Sequence, residues 1–122
     1  MKRDIQTTVE NGVVRVVYRG LVEYSATTDM LRNVAGLAAQ TQCKLLLFDI
    51  READYDHYHV DTIRHAEEAP ALGIDRTFRV AFLGAEGNPM LRYIENVSVN
   101  RGFLAKVFTD DSEALAWLRG AP

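Results

Sequence analysis

The spacing of apolar residues changes repeatedly along this chain, between short runs that predict strands and three- or four-residue spacings that predict helices. Strands are predicted over residues 5–9, 13–19, 44–50, 76–83 and 103–108. Asn11-Gly12 joins the first two runs, and because both residues tolerate positive φ the dipeptide predicts a β-hairpin. The run of residues 45–48 is continuous rather than alternating, which is typical of a central parallel strand covered on both faces.

Helical spacing predicts four helices. The first begins near Ser25 or Thr27 and ends near residue 40, and the others cover residues 61–72, 89–100 and 110–118. Repeated strand–helix units favour a parallel sheet with right-handed crossovers. The predicted fold class is therefore α/β, with the order ββαβαβαβα, a mostly parallel five-stranded sheet and four helices. We expect a single domain over residues 1–122, because most domains contain about 100–150 residues.

The end of the chain gives the sharpest local prediction. Asp110 stands at a helix N-cap with Glu113 three residues on, a pairing that satisfies free backbone N–H groups. Ala114, Trp117 and Leu118 fall on one face of the helix that follows. We therefore expect Trp117 to be buried against the sheet.

Composition narrows the classes of function. The net charge is −3, which argues against a general nucleic-acid binder, because such domains usually carry a basic face. No stretch approaches the ~20 apolar residues of a membrane span, and no apolar run follows the basic start as in a signal peptide. The single cysteine, Cys43, favours a reducing compartment. These features predict a cytoplasmic protein.

The element order and the chain ending together resemble the SpoIIAA-like family of small bacterial domains, which is similar to STAS domains and CRAL-TRIO lipid carriers. The features that carry the resemblance are the hairpin at Asn11-Gly12, the apolar strand before an irregular loop, and the ending from Asn100-Arg101-Gly102 to Leu118. The resemblance implies that the first strand is antiparallel at a sheet edge. It also implies a non-enzymatic regulatory or ligand-binding domain, with a protein partner or a small apolar ligand, and it leaves a homodimer open. The likeness to CRAL-TRIO carriers gives the alternative of a carrier or sensor of small apolar molecules.

The better-known SpoIIAA-like proteins are anti-sigma factor antagonists regulated by phosphorylation of a serine at the start of the helix after the third strand. This chain has no serine between Asp49 and Leu72. Thr62, after Asp61, is the nearest candidate, since a helix N-terminus favours a phosphate. An ordinary helix cap is the competing interpretation.

The segment between residues 54 and 61 is the most functional-looking part of the chain. Its His57 and His59, with Asp61 and the later His65, are ligand types that zinc and iron prefer, which gives a metal-dependent enzyme as a third alternative. The set is incomplete, and no metal and no cofactor are predicted.

A binding cleft is the favoured interpretation of this segment, because ligands of open α/β sheets lie beyond the carboxyl ends of the strands. The cleft would lie between residues 49–61 and the loop of residues 84–88. Its predicted ligand-binding residues are Asp49, Tyr55, His57, Tyr58, His59 and Tyr93.

Three basic residues, Arg15, Arg79 and Lys106, interrupt otherwise apolar strands. If strand parity agrees, they share one face of the sheet. We interpret that face as a polar outer surface, and an anion or partner surface is the alternative.

Overall fold

The computed structural model of the chain describes residues 3–55 and 59–120, and for residues 59 and 60 it describes the backbone. The strands are β1 (Asp4–Glu10), β2 (Val13–Leu21), β3 (Leu45–Asp54), β4 (Arg79–Leu83) and β5 (Leu104–Phe108). The helices are α1 (Tyr24–Thr41), α2 (His59–Leu72), α3 (Pro89–Asn100) and α4 (Asp111–Leu118). None of these helices is both long and apolar enough to cross a membrane, a finding that covers the described residues only.

The strands lie in the sheet in chain order, β1-β2-β3-β4-β5. β1 is antiparallel to β2 at one edge, and all other neighbouring strands are parallel. Asn11 and Gly12 both have positive φ, at 51° and 79°, as a tight hairpin turn requires. The predicted α/β class, element order and antiparallel edge strand are thus confirmed.

The two faces of the sheet are covered by different helices. On one face, side chains such as Leu46 and Phe48 pack in the larger core with residues of α1, α2 and α3. On the other face, Leu47 and Ala81 pack in a smaller core with α4. Because successive residues of a strand point to opposite faces, β3 supplies both cores, which explains its continuous apolar run.

Helix α4 is fastened to the sheet at both ends. Asp110 caps it, with Oδ1 accepting from the Ser112 backbone N–H at 2.9 Å. Arg15 forms an ion pair with Asp111 at 2.6 Å, and Arg79 donates from Nε to the Trp117 carbonyl oxygen at 2.9 Å. The Asp111 carboxylate at the start of α4 and the Arg79 guanidinium at its end both complement the helix dipole.

Strand pairing places Arg15, Arg79 and Lys106 on one face, as predicted. That face is not simply a solvated outer surface. Arg15 and Arg79 contact α4, and Lys106 is the exposed member of the set. The sequence-based interpretation is therefore corrected for the two arginines.

Three of the element boundaries that differ from the prediction have a clear structural reason. β3 continues to Asp54 because an extended β2 pairs with it through a register shift after Val17, and Arg19 bonds Glu52 there at 2.8 Å. β4 begins only at Arg79, because Asp75 accepts hydrogen bonds from the backbone and hydroxyl of Thr77 and holds a turn. α2 begins two residues before Asp61, so Asp61 lies in its first turn and is not its cap.

Gly84, after β4, provides a test of this packing. A Cβ at this position would lie within 2.9 Å of Leu91 Cγ in the larger core. We expect Gly84→Ala to lower the free energy of unfolding by about 1–3 kcal/mol, because Leu91 must repack. Urea denaturation measures this, with Gly36→Ala in α1 as control. Nothing lies within 4 Å of a Cβ at Gly36, so that substitution should stabilise the helix. Equal stability of the Gly84→Ala and natural proteins would contradict this packing.

Candidate functional site

An apolar cavity of about 110 Å³ lies between the sheet and helices α1, α2 and α3. Its sheet side is formed by β2, β3 and β4, with the aromatic rings of Phe48 and Phe82 stacked 5.5 Å apart. Met30 and Leu31 of α1, and Ala69 of α2, form part of the helical side. Protein interiors rarely contain voids much larger than a water molecule, so a hole of this size is a distinctive feature of so small a protein.

Three polar residues of the cavity lie toward one end, whereas a fourth, Ser98, is near the carboxyl end of α3. Thr27 is near the start of α1, and Thr62 and His65 are in the first half of α2. Each of these helices follows the carboxyl end of one parallel strand and returns to the start of the next, so both begin at the same end of the sheet. Tyr55, directly after β3, lines the cavity at this end too.

His65 is buried at the contact between α1 and α2. Its ring stacks on Tyr24 with centroids 4.5 Å apart, and its Nε2 lies 3.1 Å from both the Thr28 hydroxyl and the Tyr24 carbonyl oxygen. Tyr24 in turn donates its hydroxyl hydrogen bond to Glu68, and the Arg64 guanidinium lies 4.2 Å from its ring centroid. These contacts join the first half of α2 to α1 beside the cavity.

Burial lowers the pKa of His65 below its ordinary value of 6.5, although the Tyr24 carbonyl and the charges of Glu68 and Asp61 oppose the shift. In the unfolded chain the ring takes up a proton more readily than in the folded protein. At a pH above the pKa that His65 has in the unfolded chain, the residue therefore leaves the free energy of unfolding unchanged. As the pH falls through this pKa, His65 lowers the free energy of unfolding.

We expect the free energy of unfolding to decrease between about pH 7.5 and about pH 5.5, and to decrease less in His65→Gln, which cannot take up the proton. Urea denaturation of both proteins at the two pH values measures the difference. An identical pH dependence in the two proteins would contradict the assignment to His65.

Asp49, the first predicted site residue, lies on the opposite face of the sheet from the cavity, the face to which Leu47 also points. Its carboxylate accepts hydrogen bonds from the backbone N–H, Nε and Nη2 of Arg51, at 3.2, 3.0 and 2.7 Å. Burial would raise the pKa of Asp49, but these bonds outweigh it and hold the pKa below its ordinary value. Asp49 thus supports the backbone where the register of β2 and β3 shifts.

The other predicted ligand-binding residues do not all lie at the cavity. Tyr55 lines the cavity, whereas Tyr93 on α3 is half-buried and is not among the lining residues. His57 and Tyr58 lie outside the described residues, and so does the side chain of His59, whose backbone begins α2. The loop of residues 84–88 serves as the entry to α3, where Asn88 caps the helix by accepting from the Met90 N–H at 2.9 Å.

Thr62, the candidate for phosphorylation, is buried and lines the cavity. A modifying enzyme could reach its hydroxyl only if α2 moved away from the sheet. Phosphorylation of Thr62 stays a prediction, and the more direct use of this residue is as part of the cavity wall.

Within residues 3–55 and 59–120, no group of three or more His, Cys, Asp or Glu side chains is placed to hold a metal ion. We expect elemental analysis of protein purified without an affinity tag to find no stoichiometric zinc or iron. About one metal per chain, lost on combining His57→Ala with His59→Ala, would contradict this expectation and favour the metal-dependent enzyme.

Thr27 is the site residue that sequence analysis missed. It lines the cavity, and its Oγ1 is buried with no hydrogen-bond partner among the described residues. A threonine near the start of a helix gives no signal of this kind, since its usual role there is capping. The helical spacing of Thr27, Met30 and Leu31 identifies a buried face, but not a hole beneath it.

The fold is shared with proteins of solved structure. An anti-sigma factor antagonist from Mycobacterium paratuberculosis has a TM-score of 0.66 at 14% identity, over 97% of this chain and 95% of that one. An uncharacterised protein with a SpoIIAA-like fold from Shewanella loihica has a TM-score of 0.60 at 21% identity, over 95% and 93%. The anti-sigma factor antagonist SpoIIAA in its unphosphorylated form has a TM-score of 0.60 at 15% identity, over 97% and 100%.

No protein-family model matches the chain, and no curated protein matches its sequence. The structural likeness spans nearly the whole chain in all three cases. The chain therefore has the SpoIIAA-like fold, and the resemblance predicted from the sequence is confirmed at the level of the fold.

Proposed function

We propose that this protein is a non-enzymatic regulatory domain that binds a small apolar molecule in the cavity between its sheet and helices α1 to α3. The observation that carries the proposal is the cavity itself. Its apolar walls lack packing partners on the side of the cavity, and a ligand would supply the missing contacts.

The regulatory part of the proposal draws on the structural likeness. Two of the similar proteins are named as anti-sigma factor antagonists, which favours a protein partner for this chain as well. A ligand in the cavity would contact both α1 and α2, which are joined beside it by His65, Tyr24 and Thr28. A bound ligand would therefore restrain α1 and α2, and a protein partner could bind to the outer surfaces of these two helices.

The test is methyl NMR of the full chain, titrated with fractions of a cell extract. We expect at least one fraction to shift the methyl signals of Met30, Ile50 and Ile94, which line the cavity. Native mass spectrometry of the same sample should then find one small organic molecule per chain. Ala69→Leu, which fills part of the cavity, should abolish the shifts. If no extract fraction and no small apolar probe moves these signals, the proposal is wrong.

A further inference from the structure

We infer that the cavity selects a neutral, ring-sized molecule with one hydroxyl group, a phenol in chemical class, and that Thr27 binds this hydroxyl. The inference rests on the proposed function and adds the class of ligand. Three observations support it: the volume of the cavity, the absence of charged residues from its described lining, and the buried Thr27 hydroxyl, which has no hydrogen-bond partner among the described residues.

Volume limits the ligand to about the size of one ring. An engineered protein cavity of about 150 Å³, lined by aliphatic and aromatic side chains, binds benzene. The cavity in this protein, at about 110 Å³, is of the same order and also has aromatic walls, including the stacked rings of Phe48 and Phe82. A long acyl chain would need several times this space, so the volume favours a compact ligand over the lipids of CRAL-TRIO carriers.

The described lining of the cavity favours a neutral ligand. No Asp, Glu, Lys or Arg is among the described residues that line the cavity. A buried carboxylate or ammonium group without a charged partner is strongly unfavourable. Burial also lowers the pKa of His65, which favours the neutral form of its ring.

Thr27 supplies the specific polar contact. Its Oγ1 is buried beside the cavity and makes no hydrogen bond within the part of the chain that the structure describes. A buried hydroxyl without a partner is destabilising, so a ligand that offers one hydrogen bond removes this penalty as it binds. A phenol hydroxyl can donate to Oγ1 while the ring remains in the apolar part of the cavity.

The experiment compares four probes by NMR titration of the full chain: phenol, toluene, benzoate and dodecanoate. We expect phenol to bind about fivefold more tightly than toluene, the factor that one typical hydrogen bond supplies, and benzoate and dodecanoate not to bind. Thr27→Val should bring phenol and toluene to equal affinity and should raise the stability of the free protein. Thr28→Val is the control, since Thr28 contacts His65 but is not a lining residue, and it should keep the preference for phenol.

The outcomes separate the inference from the proposed function. Equal affinity of phenol and toluene for the natural protein would overturn the role of Thr27. Tighter binding of dodecanoate or benzoate than of phenol would overturn the ligand class, while a cavity that binds an organic molecule would stand. If no probe and no extract fraction shifts the lining methyl signals, the proposed function fails as well.

Discussion

Trp117→Ala is expected to lower the free energy of unfolding by about 3–5 kcal/mol, enough to unfold a marginally stable domain. Trp117 is only 8% exposed and packs in the smaller core with Ala114 and Leu118, which are 0% and 2% exposed. Its ring lies 5.7 Å from that of Phe108 and 4.1 Å below the guanidinium of Arg79. Removing the indole therefore takes away the aromatic member of the three buried side chains by which α4 packs on the sheet.

Urea denaturation followed by circular dichroism measures this effect, since the substitution removes the only tryptophan. Ala116→Gln is the matched control, because Ala116 is exposed on the same helix and glutamine is also a good helix former, so stability should change little. In the natural protein, Trp117 fluorescence should have the short-wavelength maximum of a buried indole. A loss of stability below about 1 kcal/mol in Trp117→Ala would mean that α4 contributes little to the fold.

The fold could be predicted from the sequence because its main signals are local. The Asn11-Gly12 turn, the Asp110 cap and the continuous run of β3 each depend on a few neighbouring residues, and each is confirmed. The end of β3 differs from the prediction because it depends on contacts between distant residues. β2 pairs with the far end of β3, where Arg19 forms an ion pair with Glu52. No pattern within the sequence of β3 indicates this pairing.

The candidate site was predicted only in part, for a different physical reason. Tyr55 was chosen because it follows a strand, and it does line the cavity. Asp49 was chosen for the same reason, but alternation along β3 places it on the face opposite Phe48 and Ile50. In a strand that is buried on both faces, the sequence gives no indication of which face holds a ligand. A cavity is space that side chains leave unfilled, and apolar residues look the same in sequence whether or not they fill a core.

Ala69→Leu is expected to raise the free energy of unfolding by about 1–2 kcal/mol and to weaken ligand binding at least ~10-fold. Ala69 lies on α2, is 7% exposed and lines the cavity. The added methine and two methyl groups would occupy space that is otherwise empty, and each buried CH₂-sized group contributes ~0.8 kcal/mol. The same groups would take the place of the ligand, so stability and binding should change in opposite directions. Urea denaturation and NMR titration with phenol measure the two effects.

The control is the same substitution at a filled position. Ala38 on α1 is 2% exposed, belongs to the same core and is not a lining residue of the cavity. Ala38→Leu should therefore destabilise the protein by about 1–3 kcal/mol, because no space exists for the larger side chain. If Ala69→Leu destabilises the protein as much as Ala38→Leu does, the cavity is not available beside α2. If Ala69→Leu is more stable but binds phenol as tightly as the natural protein, the ligand binds elsewhere. Only opposite changes in stability and affinity at Ala69, with a loss of stability at Ala38, fit a core that is kept incomplete to accept a ligand.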